Sequence, residues 1–253
     1  MTIRLIFNLC LVASACLIHL LVAPAQAGVV LDTTRVIYPA QERQITVALT
    51  NDNKDLPILV QAWIDDGDEK STPDQINAPF LLVPPMFRME PGKGQSLRIT
   101  YLQDKPLPTD KESVFWLNVL EVPPKPKAAK GEAKNTLQLA FRTRVKLFFR
   151  PKGLKGAVKD APSQLNWKLL REGSKQVLQA ENPSAYYVSF ENVSLAVNGK
   201  EVKNDDPQMI APGGTQRFVL EDIPLPVDTK SEVRFTSIDD YGQIVPHNAA
   251  LTR

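Results

Sequence analysis

From Gly28 onward, apolar and polar residues alternate in short runs at the two-residue period of β-strands, and no long stretch keeps the 3.6-residue period of a helix. The runs are Val29 to Tyr38, Gln44 to Thr50, Ile58 to Asp65, Phe80 to Val83, Gln95 to Tyr101 and Val114 to Val122, followed by Thr136 to Arg150. Turn residues part them: Asn51-Asp52-Asn53, Asp65 to Thr72, Pro84-Pro85, Pro91-Gly92-Lys93-Gly94 and Pro106 to Asp110. Seven strands in about 120 residues predict an immunoglobulin-like sandwich, here without the Cys-Trp-Cys pin of antibody domains. Trp63 and Trp116 lie on apolar strands and are expected to fill its core.

The last of these runs makes two demands at once. Its odd positions are Leu137, Leu139, Phe141, Thr143, Val145, Leu147 and Phe149, while its even positions include Gln138, Arg142, Arg144, Lys146 and Arg150. That is a strand with one apolar face and one basic face. At about 3.3 Å per residue it would reach roughly 50 Å, whereas a 100-residue domain has a radius of gyration of only about 13 Å. Part of it should overrun the core that shelters the rest. Two readings stay open: an apolar face that is all core, or an uncovered edge that pairs with another chain.

Lys125 to Asn135, KPKAAKGEAKN, has nothing to bury and reads as a polar loop between antiparallel strands. At Arg150-Pro151-Lys152-Gly153 the strand pattern breaks, because proline cannot donate to a ladder and glycine frees the backbone. A domain boundary placed there gives a first domain over residues 28–150 and a second over 151–253. Beyond the break come Gln164 to Leu170, Lys175 to Glu181, Tyr186 to Val197, Thr215 to Leu220 and Val233 to Ile238. Asn198-Gly199 is a strong hairpin signal, and the spacing fits a second, smaller β-sandwich. The fold class is therefore all-β, with two immunoglobulin-like β-sandwich domains.

Composition enters where it removes chemistry. Arg4 precedes an apolar run from Leu5 to Pro24 that ends in Ala25-Gln26-Ala27, a small-x-small cleavage pattern. Residues 1–27 are read as a secretory signal peptide. A retained membrane anchor is the competing reading, since about 20 apolar residues span a bilayer. Cleavage would remove both cysteines, Cys10 and Cys16, leaving no disulfide and no thiol in an exported chain. It would also remove His19, so His247 is the one histidine left. The commoner zinc sites and cysteine–histidine pairs are then excluded, and no serine lies in a nucleophile-elbow pattern to complete a triad around His247. There is no Gly-rich phosphate loop. Asp65-Asp66-Gly67-Asp68-Glu69 lacks the ligand spacing of a calcium loop and reads as a solvated turn. No catalytic residue, metal or cofactor is expected. Lys and Arg number 30 against 28 Asp and Glu, without a basic cluster that would point to nucleic acid.

Six stretches in order, LDTTRVIYP, LTNDNKDLPILVQAWI, PPMFRMEPG, ESVFWLNVLEVPP, LQLAFRTRVKLFFRP and IDDYG, make the chain resemble the periplasmic chaperones of the chaperone-usher pathway, the PapD-like family. The resemblance spans Val29 to about Gly242. It implies two immunoglobulin-like domains in a boomerang arrangement. It also implies a periplasmic protein that binds fimbrial subunits by donor-strand complementation and delivers them to an outer-membrane usher, without a cofactor. By likeness, Arg35 and Lys146 would grip the terminal carboxylate of the subunit, and Leu137, Leu139 and Phe141 would be the donated side chains. Glu112, Arg150 and Asp240 match a charged cluster between the domains, and Pro84 matches a family cis proline. The loop over Lys125 to Asn135 lacks the cysteines of the long-loop class, which places the chain in the short-loop class. An apolar edge leaves self-association of the free protein open. Read from pattern without the likeness, the runner-up is a secreted immunoglobulin-like structural or adhesive module.

Overall fold

The computed structural model describes residues 28–251, except 71, 125–138, 174, 199 and 221–230. The signal-peptide reading, the Lys125 to Asn135 loop and Leu137 lie outside the described residues.

Among the described residues nine strands build the first sandwich: β1 (Val29–Leu31), β2 (Arg35–Pro39), β3 (Ile45–Asn51), β4 (Ile58–Asp65), β5 (Phe80–Val83), β6 (Met86–Met89), β7 (Gly94–Tyr101), β8 (Ser113–Val122) and β9 (Phe141–Arg150). One sheet has the order β1-β3-β7-β5 and the other β2-β9-β8-β4-β6. Alternate residues of the facing strands, Val47 and Leu49, Leu97 and Ile99, Leu117 and Val119, Leu147 and Phe149, meet in one core. That is the pattern a half-buried pleated strand imposes. Between β5 and β6 the Val83–Pro84 bond is cis.

Among the described residues seven strands build the second sandwich: β10 (Asn166–Glu172), β11 (Lys175–Glu181), β12 (Phe190–Val197), β13 (Lys200–Lys203), β14 (Thr215–Leu220), β15 (Ser231–Ile238) and β16 (Ile244–Ala249). Their sheets run β10-β11-β14 and β13-β12-β15-β16. Where antibody domains carry a disulfide, this core stacks aromatics: fully buried Trp167 lies 5.2 Å from Phe235 and 5.7 Å from Phe218, ring centre to ring centre. Asn198 turns the β12–β13 hairpin at φ 48°, a conformation Asn tolerates.

Three features depart from the sequence reading. The run Val29 to Tyr38 is two strands in different sheets, because Thr33 breaks it: its hydroxyl donates to the Arg35 carbonyl (2.5 Å) and accepts from the Arg35 amide (3.3 Å). Short edge strands β6, β13 and β16 went unread: β6 is four residues lying between proline turns, β13 is polar, and β16 carries Pro246 at the border of its sheet. Trp116 is not core. It is half-buried on the outer face of β8, with the Arg144 guanidinium 4.2 Å above its ring.

Candidate functional site

The division of the first strand decides what happens to β9. Along one side β9 pairs with β8 from Phe141 to Phe149. Along the other it pairs with β2, in parallel, only from Lys146 (opposite Arg35) to Arg150 (opposite Pro39). On that side, Phe141 to Val145 have no ladder partner among the described residues. Burial follows the same break: Leu147, Phe148 and Phe149 are buried, whereas Phe141 is 59% exposed and Leu139, just ahead of the strand, 53%. The strand thus leaves its own core with apolar side chains and backbone groups uncovered, the condition under which an edge recruits another strand.

Arg35 and Lys146 stand side by side where the partnered half of β9 begins. Arg35 is only 8% exposed. Its Nη1 donates to the Ile238 carbonyl at 2.7 Å, and its Nε is buried without a hydrogen-bond partner. Lys146 Nζ reaches Ser189 Oγ at 3.4 Å, and its ammonium lies 5.7 Å from the centre of the Trp116 ring. Among the described residues neither cation forms an ion pair. Burial, with the neighbouring Arg35 charge adding to it, brings Lys146 down to about 8. Burial also lowers Arg35, against the pull of Asp240 and Asp239. A buried and a half-buried positive group side by side, neither in an ion pair among the described residues, are a standing invitation to an anion.

Glu112, Arg150 and Asp240 also come together. Arg150 donates to Glu112 Oε1 through Nε (2.5 Å) and to both oxygens of Asp240 (2.6 and 2.8 Å). The other oxygen of Glu112 accepts from the Tyr187 amide at 2.8 Å. The cluster therefore ties the end of β9 and the start of β8 to the second sandwich. Burial of Glu112, only 3% exposed, pushes its carboxyl up, with Arg150 and the Tyr187 amide pulling back. For Arg150, burial acts to lower the guanidinium, but the bonds to Asp240 and Glu112 outweigh it and hold it above its usual range.

Pattern reasoning missed several contributors. Asp65 is not in a solvated turn: it is buried and accepts from Arg144 (2.7 Å), the Asn118 side chain (2.6 Å) and the Gly67 amide (2.8 Å). Burial would raise its carboxyl, and these bonds reverse that and hold it low. Arg144 is consequently spoken for, whereas Lys146, two residues on along the same face, meets no carboxylate among the described residues. Phe148 sits at an even position of β9, an interruption of the basic face that was visible in the sequence. Its buried ring faces Tyr187 of the second sandwich, 5.7 Å between centres. Beside Arg35 and Phe148 a cleft of about 200 Å³ opens between the two sandwiches. Among the described residues no group of His, Cys, Asp and Glu is placed to hold a metal ion.

The chain has relatives among known proteins. Residues 28–155 match the family model for the pili and flagellar-assembly chaperone, PapD N-terminal domain, and residues 160–249 match that for the pili assembly chaperone PapD, C-terminal domain. A curated relative, chaperone protein FimB/FhaD of Bordetella pertussis, is 42% identical over 240 residues, 94% of this chain and 93% of its own. The crystal structure of the YadV chaperone superposes with a TM-score of 0.75 at 39% identity, covering 88% of this chain and 99% of that one. The SafB chaperone, solved in complex with the SafA pilin of Salmonella enterica, superposes with a TM-score of 0.71 at 29% identity, over 90% and 99%.

Proposed function

The chain belongs to the PapD-like family of pilus-assembly chaperones, and from that premise we propose that it captures fimbrial subunits by lending them the free edge of β9. The family consists of chaperones, not enzymes, and the two sandwiches are its two domains. The observation that carries the proposal is the coincidence of two things: an edge of β9 from Phe141 to Val145 without a ladder partner on one side among the described residues, and, where that edge ends, buried Arg35 beside half-buried Lys146, neither in an ion pair there.

A subunit whose sandwich lacks one strand exposes an apolar groove. Leu139 and Phe141, with Leu137 ahead of them, would fill it, each worth about 1.5–3 kcal/mol before ordering costs. The subunit's terminal carboxylate, accepting from Arg35 and Lys146, adds charge-assisted bonds of about 1.5–3 kcal/mol each. The carboxylate also sets direction. A chain that ends at Lys146 and lies along Phe141 to Val145 runs the same way as β9, in line with β2, which takes over the same side of the sheet from Arg35 onward. It further sets register, since a slip of one residue would turn every side chain to the wrong face. Glu112, Arg150 and Asp240 have their charges met within the protein, which suits them to orienting the two domains rather than to gripping a client.

Residues 1–27 would export the chain to the periplasm, the break after Arg150 would divide the domains, and an outer-membrane usher would receive the loaded complex. The pilin held by SafB supports the capture step by likeness. The test is co-expression with a pilin from a chaperone-usher system and measurement of the complex recovered. Arg35→Ala and Lys146→Ala should both remain folded, Lys146→Ala with no loss of melting temperature, and lose the complex; recovery of wild-type amounts with both single variants would refute the anchor. A secreted adhesive module would account for the sandwiches but not for the two adjacent cations left without an ion pair among the described residues.

A further inference from the structure

Resting on that reading of the anchor, we infer that the cleft beside Arg35 receives the side chain of the client's last residue and selects for an apolar or aromatic one. A carboxylate held by Arg35 and Lys146 leaves the α-carbon of that residue one bond away. Both cations reach toward the second domain, Arg35 to the Ile238 carbonyl and Lys146 to Ser189. The side chain attached there therefore starts at the mouth of the cleft that Arg35 itself borders.

The walls decide what fits. Phe148 and Tyr187 form one side and Ile238 and Val245 the other, with Tyr241, 89% exposed, standing at the lip. Most of the polar groups that also border the cleft are already engaged. Asp239 accepts from the amides of Tyr241 and Gln243 (2.9 and 2.8 Å), and Asp240 accepts twice from Arg150. His247 lies flat on Phe235 at 4.9 Å with Nε2 2.8 Å from Ser237 Oγ. Lys159, the remaining cation on its border besides Arg35 and Arg150, is exposed to solvent. The buried Nε of Arg35, without a partner of its own among the described residues, is thus the polar atom in the wall that calls for a ligand, and the carboxylate answers it. What remains is an apolar recess. An apolar cavity of about 150 Å³ accepts a benzene ring, so a cleft of about 200 Å³ has room for an aromatic side chain.

The experiment uses peptides copied from a pilin tail and identical except at the last residue, which is Phe, Leu, Gly or Glu, each with a free carboxylate. A Phe-ending peptide with an amidated terminus is the control. The full mature chain should bind the Phe and Leu peptides about tenfold more tightly than the Gly peptide, the worth of burying part of one apolar side chain, with Glu no better than Gly. Val245→Phe, which fills the recess, should erase the preference, so that the Phe and Leu peptides bind no more tightly than the Gly peptide. Tyr241→Ala, at a position too exposed to affect folding, should reduce it. Equal binding of Phe and Gly peptides by the wild type overturns the recess and leaves the anchor standing. Equal binding of the amidated and free-acid peptides overturns the anchor itself.

Discussion

Two groups of charge lie between the domains, and they are built on opposite terms. Around Arg150 every charge is met: Glu112 takes one side of the guanidinium, Asp240 the other, and the spare oxygen of Glu112 is met by the Tyr187 amide. Around Arg35 and Lys146 no carboxylate among the described residues arrives, and a backbone carbonyl and a hydroxyl are the partners offered. Taking an ion out of water without an opposite charge is destabilising. A fold keeps such a defect where something from outside removes it. Compensation therefore separates the cluster that holds the protein in shape from the pair that waits for a client.

The largest expected effect breaks the compensated side. Arg150→Ala leaves Glu112 buried with its counter-ion gone, and should lower stability by on the order of 3–5 kcal/mol, read from the midpoint and slope of urea unfolding. A loss under about 1 kcal/mol would mean that the cluster is only a surface pair.

The same operation on the other side should reverse in sign. Lys146→Met removes a charge that burial disfavours, in a group that burial brings from the ordinary lysine value of 10.5 down to about 8. At pH 7 the free protein should gain on the order of 1–3 kcal/mol, since each tenfold change in a protonation equilibrium corresponds to about 1.4 kcal/mol. Subunit capture should fall roughly tenfold to a hundredfold, the worth of one charge-assisted bond. Thermal melting and pilin binding on one preparation give both numbers, and a variant that loses stability together with capture contradicts the comparison.

What could be read from the chain beforehand follows from the range of each cause. The two faces of β9 are written in successive residues, so the basic and apolar stripes were visible, and Phe148 was visible as the interruption among them. The likeness carried Arg35 and Lys146 to adjacent positions in one ladder. Contacts between residues far apart in sequence had no such trace: Arg144 meets Asp65 across 79 positions, and that meeting turns an expected solvated turn into a buried acceptor and moves Trp116 from core to platform. The split at Thr33 was passed over because apolar residues flank the short polar stretch Asp32-Thr33-Thr34-Arg35 on both sides. The Thr33 hydroxyl bonds Arg35 there, and β2 then leaves Phe141 to Val145 without a ladder partner on one side among the described residues.

A smaller effect sharpens the contrast between the halves of β9. Leu139→Asp and Phe141→Asp place a charge on side chains more than half exposed in the free protein, so each should shift its stability by no more than about 0.5 kcal/mol. Both should weaken capture about tenfold or more, because the client would bury that charge. Melting curves set beside pilin binding decide it. A collapse of the melting temperature would return this stretch to the protein's own core.

The most gradual effect is a pH dependence in which stability and capture move in opposite directions. Lys146 in the folded, unliganded protein titrates near 8, below its value in the unfolded chain, so between about pH 8 and 10.5 the folded state holds fewer protons. Stability contributed by this group must therefore rise with pH across that window, as an unfavourable buried charge is discharged. Capture must fall across the same window, because the client's carboxylate needs the ammonium and has to draw its proton back from solvent. The decline should stay below about tenfold per pH unit. Lys146→Arg keeps its proton throughout and should flatten the profile. A wild-type affinity that is level from pH 7 to 10, with Lys146→Ala still defective at pH 7, would show that the lysine grips the client by shape and hydrogen bonding rather than by its charge.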